Sequence, residues 1–158
     1  MKNKNIAILN QPIANLVFST TENTDMRLAD LQGKLVVLYF YPKDNTPGCI
    51  MEAKNFRDLY PKFLTANTCI FGISRDSLKS HQGFKNSCDL PFPLISDENE
   101  ELCRYFDVIK EKNMFGKKIF GLERSTFLID EKGILRQEWR NVKVPQHAQA
   151  VLDAVLGR

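Results

Sequence analysis

The seven residues Leu35-Val-Val-Leu-Tyr-Phe-Tyr41 carry no polar break. A run of this length, β-branched and aromatic, is a strand buried on both faces rather than one facing water. That restricts the chain to architectures with a covered central sheet. The run stops at Pro42, a short polar loop follows, and Thr46-Pro47-Gly48-Cys49 leads into a helical stretch, Met51 to Tyr60. A central strand therefore delivers a cysteine onto the first turn of a helix. Unpaired backbone N–H groups and the positive end of the helix dipole favour a thiolate there.

The remaining pattern extends the same architecture. Leu16 to Ser19 and Asp25 to Leu28 read as two short strands about a polar turn at Glu22-Asn23-Thr24. The helix after Cys49 has an apolar face at Phe56, Leu59, Tyr60 and Phe63, with Pro61 marking a kink or an end. Thr68 to Ser74 is a second buried strand, and Asp76 or Ser77 caps a helix to about Asn86. A short strand at Leu94-Ile95 and a helix from Glu98 to Phe106 follow. Asn113 to Gly121 is a basic loop or hairpin. Ser125–Asp130 and Ile134–Arg140, joined by Glu131-Lys132-Gly133, form a hairpin. Pro145 to Leu156 is a terminal amphipathic helix opened by its proline. This order predicts an α/β fold, a central mixed sheet flanked by helices with a short N-terminal hairpin, in one domain spanning 1–158.

Composition excludes several classes. At 158 residues, 43% hydrophobic and 26% charged, the chain has material for one core and is not disordered. A net charge of +3 does not argue for nucleic acid or a membrane surface. No apolar run is long enough to span a bilayer. The N-terminal apolar stretch is broken by Asn10, Gln11 and Pro12, so no export signal is read and a reducing cytoplasm is expected. The cysteines Cys49, Cys69, Cys88 and Cys103 form no Cys-x-x-Cys pair, and His81 and His147 are remote from them, so no zinc or other metal site is expected. Both histidines lie among polar neighbours and read as surface residues. Cys69, between Thr68 and Ile70, and Cys103, beside Leu102, read as core packing.

The spacing Pro42-x-x-x-Thr46-x-x-Cys49 matches the active-site signature of the peroxiredoxins. Tyr39 to Cys49, followed by Glu52-Ala53 and Phe56-Arg57-Asp58, resembles the Q-type group, the bacterioferritin comigratory proteins. Gly72–Ser77, Phe92–Asp97, Glu123–Asp130 and Trp139–Val144 resemble that group's segments in the same order. The resemblance implies a thioredoxin-like fold and a thiol peroxidase needing no cofactor. It makes Cys49 the peroxidatic nucleophile and Arg124 the cation beside it. Thr46 has a hydroxyl able to orient a peroxide oxygen, and Pro42 a ring that walls the site without adding a donor. Backbone N–H groups at Gly48 and Cys49 can bind the leaving oxygen.

The same resemblance implies hydrogen peroxide and organic hydroperoxides as substrates, thioredoxin or glutaredoxin as reductant, and a monomer. Many Q-type members carry a resolving cysteine five positions after the first, where this chain has Lys54. Others use the following helix, whose end here holds Cys88, although the usual register falls nearer Lys85. Cys88, Cys103 and an external thiol all stay open as the resolving group. A thiol–disulfide oxidoreductase would need a cysteine at Glu52. A redox-inactive binding module would not need Pro42, Thr46, Cys49 and Arg124 together.

Overall fold

The computed structural model describes residues 6–22 and 25–157. Met1 to Asn5, on which the reading of the N-terminus partly rests, lie outside them, as do Asn23 and Thr24 of the first turn. The element order is β1 (Val17–Thr20), β2 (Met26–Arg27), β3 (Leu35–Phe40), α1 (Pro47–Thr65), β4 (Thr68–Ser74), α2 (Leu78–Cys88), β5 (Leu94–Ser96), α3 (Glu101–Tyr105), β6 (Ile109–Met114), β7 (Lys117–Leu122), β8 (Ser125–Ile129), β9 (Leu135–Trp139) and α4 (His147–Leu156). One 3-10 turn, Leu28–Leu31, follows β2.

Seven strands form one mixed sheet in the order β2-β1-β5-β4-β3-β8-β9, and β6 and β7 form a separate ribbon. β3 runs parallel to β4 and antiparallel to β8, with Leu38 opposite both Phe71 and Phe127. Every residue of β3 is buried, as its unbroken apolar run requires. Its side chains alternate between two cores. Leu35, Val37 and Tyr39 pack with Phe56, Phe84 and Val151 from α1, α2 and α4. Val36, Leu38 and Phe40 pack on the other side with Phe18, Leu102, Phe106 and Phe127. β1 and β2 pair as the expected hairpin, Val17 opposite Arg27.

Several boundaries differ from the sequence reading for local reasons. Pro61 does not end α1: it removes one backbone donor, yet fully buried Phe63 holds the last turn in place to Thr65. α3 is confined to Glu101–Tyr105, because Glu100 sits at φ +63° and cannot continue a helix N-terminally. Pro145 lies outside α4, since Gln146 at φ +65° separates it from the first helical residue. The basic stretch is a hairpin with Met114 opposite Lys117.

The histidines are not on the surface. His81 is completely buried and His147 is 7% exposed. His81 shares a helix face with Phe84 and Cys88, and His147 shares one with Ala148, Val151, Leu152 and Val155.

Candidate active site

Pro47, Gly48 and Cys49 are the first three residues of α1, and Cys49 is 1% exposed. Thr46 is the N-cap residue, but its side chain makes no capping bond. Its hydroxyl instead donates to the Lys43 carbonyl at 2.8 Å. The hydroxyl proton is thus committed, and the oxygen keeps acceptor capacity. Pro42 is exposed beside it, and Thr46 and Gly48 are half-buried.

Arg124 arrives from the opposite end of the sequence through the register of β8. Ser125 pairs with Phe40 at the end of β3, so Arg124 lies just past the point where the chain turns towards Cys49. Neighbouring backbone bonds hold it: Glu123 N donates to Val108 O, and Val142 N donates to Arg124 O. Its Nη2 donates to Cys49 Sγ at 3.4 Å and its Nη1 to Glu52 Oε1 at 2.5 Å. One planar guanidinium therefore spans a sulphur and a carboxyl on successive turns of α1, a fork that lysine cannot reproduce. A Cβ on Gly48 would stand 3.2 Å from Nη2, so glycine leaves the guanidinium its room.

Glu52 is 1% exposed, and its Oε2 has no hydrogen-bond partner. Burial pushes its carboxyl up to about 7 despite the opposing pull of Arg124. Arg124 itself is held above the usual range, because the attraction of Glu52 and Cys49 outweighs its own burial. Burial, then the Arg124 charge, drives His147 down to about 4, and its Nε2 meets the Thr126 hydroxyl at 2.8 Å. Tyr39, fully buried, is raised well above the normal phenol range by desolvation, then by Glu52 and Cys49. Its hydroxyl is also unpartnered.

The loop before α1 is anchored by a buried polar cluster. Asp44 Oδ1 accepts from Tyr41 Oη at 2.7 Å, and its Oδ2 accepts from Ser80 Oγ at 2.8 Å and lies 2.8 Å from His81 Nδ1. Asp44 N donates to Asp76 Oδ2, and His81 Nε2 reaches the Ile95 carbonyl at 2.9 Å. Asp44, Asp76 and His81 bring metal-ligand types together. Their close atoms are, however, bonded to one another and to these neighbours.

Cys88 ends α2, is 4% exposed, and belongs to the same packed core as Cys49. Its carbonyl accepts from Arg57 Nη1 at 2.9 Å, which ties the end of α2 to α1. All four thiols are free. Cys103 is fully buried, its thiol raised by desolvation and then by Asp97, and Cys69 is pushed up to about 11 by burial. The structure thus brings Cys49, Gly48 and Arg124 together, with Thr46 at the cap and Pro42 at the rim. Sequence reasoning missed Glu52, Asp44 and His81 as parts of this arrangement. Glu52 was detectable, since Cys49, Glu52, Ala53 and Phe56 make one helical stripe.

A helix-borne cysteine under an arginine fork, on a mixed sheet of this order, defines a class of thiol enzymes. Residues 9–138 match the AhpC/TSA family, and the chain belongs to it. The chain is 50% identical over 151 residues to peroxiredoxin Bcp of Xanthomonas campestris, covering 94% of each, and 44% identical over 147 residues to peroxiredoxin Bcp of Bacillus subtilis. The latter alignment covers 93% of this chain and 94% of that protein. A solved structure of X. campestris peroxiredoxin Q superposes with a TM-score of 0.91 at 49% identity, covering 96% of this chain and 98% of that one. The thioredoxin-like peroxiredoxin fold and the Q-type resemblance both hold, and the chain is a thiol peroxidase. Among the described residues no helix is long and apolar enough to cross a membrane.

Proposed function

We propose that Cys49 is the peroxidatic residue of an enzyme that reduces hydrogen peroxide and organic hydroperoxides. The observation that carries this is the Arg124 fork, with one N–H on Cys49 Sγ and another on Glu52. A guanidinium against sulphur stabilises negative charge there, and the thiolate is the nucleophile. Sγ attacks the terminal peroxide oxygen and the O–O bond breaks. The departing oxygen takes a proton and leaves as water or alcohol, and Cys49 becomes a sulfenic acid. Thr46 Oγ1, its own proton held by Lys43, accepts from the peroxide O–H and aligns it. The N–H groups of Gly48 and Cys49, unpaired in the first helical turn, meet the developing oxyanion. Pro42 closes the rim without offering a competing donor.

The sulfenic acid then condenses with the Cys88 thiol, releasing water and forming a disulfide. That bond requires the two Cα atoms within about 7 Å. The first turn of α1 unwinds to allow it, since Cys49 in the helix is held under Arg124. A protein dithiol, thioredoxin or glutaredoxin, restores both thiols by exchange. The enzyme works as a monomer in a reducing cytoplasm and uses no metal or organic cofactor.

The test is NADPH consumption with peroxide, thioredoxin and its reductase. Turnover is expected for the wild type and absent for Cys49→Ser. Retained turnover in that variant would sink the assignment. A peptide joining Cys49 to Cys88 after one equivalent of peroxide is expected by mass spectrometry. A disulfide to Cys103, or none, would remove Cys88 from the cycle.

A further inference from the structure

The β6–β7 ribbon stands apart from the seven-stranded sheet, and residues 111–120 are exposed without interruption. Ten large apolar side chains are exposed among the described residues, and four of them fall between Met114 and Phe120. Phe115, at the turn, is 98% exposed and Phe120 is 64% exposed. Single exposed apolar residues are ordinary, but a cluster on a projecting element indicates a contact surface.

Charge is concentrated on the same ribbon. Lys110, Lys112, Lys117 and Lys118 stand against Glu111, an excess of three positive charges that equals the net charge of the whole chain. The rest of the protein is therefore balanced. The register separates the two faces: Lys112 lies opposite Ile119 and Met114 opposite Lys117, so these share one face with Lys110. Glu111 and its partner Lys118 occupy the other. Along the strands the first face carries lysines and apolar groups, and Lys110, at its base, is paired with Asp107 at 3.2 Å. Lys112 and Lys117 have no ion-pair partner among the described residues.

The ribbon is also joined to the site. β7 ends at Leu122, two residues before Arg124. Six residues of strand carry the turn about 20 Å from that base. We propose that this face is the docking arm for an acidic protein dithiol, the reductant that reopens the oxidised Cys49. This rests on the peroxidase reading above. The lysines attract and orient an anionic partner, and Met114, Phe115 and Ile119 provide the apolar contact. A bilayer suits the ribbon less well. Lysines interleave with the apolar residues along the strands, so no apolar tip extends beyond Phe115.

The test compares the wild type with Lys112→Glu/Lys117→Glu and with Phe115→Ser, using a bacterial thioredoxin, a glutaredoxin or dithiothreitol as reductant. With dithiothreitol all three should turn over peroxide equally. With the effective protein reductant, KM should rise tenfold or more in the charge-reversed variant and severalfold in Phe115→Ser. The wild-type KM should also rise with salt. Unchanged KM values, an equal loss with dithiothreitol, or no reduction by either protein while dithiothreitol works would overturn the proposal. So would binding to phosphatidylserine vesicles that the variants lose while their KM stays unchanged, which would assign the ribbon to a membrane. No turnover even with dithiothreitol would remove the peroxidase reading and this proposal with it.

Discussion

Glu52 and His147 are both buried, both feel the Arg124 charge, and should impose opposite pH dependences on stability. The Glu52 carboxyl is raised from 4.5 to about 7. Between these values the unfolded chain has released the proton and the native protein keeps it, so stability falls as pH rises. Two and a half units correspond to about 3 kcal/mol, lost from pH 4.5 to pH 7. His147 is lowered from 6.5 to about 4. Between those values the unfolded chain holds the extra proton, so stability rises with pH, again by about 3 kcal/mol. In the wild type the two slopes largely cancel. Glu52→Gln removes one of them while keeping an acceptor for Arg124, and its stability should climb by about 3 kcal/mol from pH 4 to pH 6.5. His147→Gln keeps a donor near Thr126 and should fall by a similar amount from pH 4.5 to pH 7. The double variant should be nearly flat again. Urea unfolding of the reduced proteins, followed by far-UV circular dichroism at half-unit pH steps, gives these curves. Groups shared by all four proteins drop out of the differences. A Glu52→Gln curve parallel to wild type would mean that Glu52 binds its proton alike in the native and unfolded chains, and the argument that burial outweighs Arg124 would fail.

Three further outcomes follow from close approaches and burial. Gly48→Ala places a Cβ 3.2 Å from Arg124 Nη2 and pushes the guanidinium off the sulphur. The stopped-flow rate of peroxide reduction should fall by about tenfold, or ~1.4 kcal/mol of barrier, and a rate within twofold of wild type would contradict the role of that contact. Gly72→Ala sets a Cβ 2.8 Å from Leu94 Cδ2 and from Tyr39 Cζ and Oη in the middle of the sheet. Overpacking of about 1–3 kcal/mol is expected, read as a lower urea midpoint at unchanged slope. Iodoacetamide at pH 8 should modify Cys49 before Cys69 or Cys103, whose thiols are raised by burial. Peptide mapping that finds Cys103 labelled first would reverse that order.

The parts of the fold that could be read directly were those where local pattern and burial agree. The Leu35–Tyr41 run has no alternative to a covered strand, Ser77 accepts from Ser80 N as a cap, and Glu131-Lys132-Gly133 bridges β8 and β9 with Gly133 at φ +81°. Cys49 on a helix start was legible for the same reason. The buried polar groups are less legible, because a residue's neighbours in sequence are not its neighbours on a helix face. His81 sits between Ser80 and Gln82 but aligns with Phe84 and Cys88, and His147 aligns with Val151 and Val155. A polar residue on an apolar stripe is itself the signal, since burial must then be offset by a partner. The partners, Asp44 for His81 and Arg124 for Glu52, come from distant segments, and only the register of the sheet brings them together.

That register also sets the order in which the reactive site can exist. β3 meets β4 across about thirty residues, but it meets β8 across about ninety. Pairings so distant in sequence form after nearer ones, because a longer stretch of chain must be closed first. Arg124 is carried in by the later pairing. A chain emerging from the ribosome can hold β3, α1 and β4 while Cys49 still lacks its cation. The cysteine is thus left in a less activated setting during synthesis, and it gains its partner only once the sheet is nearly finished.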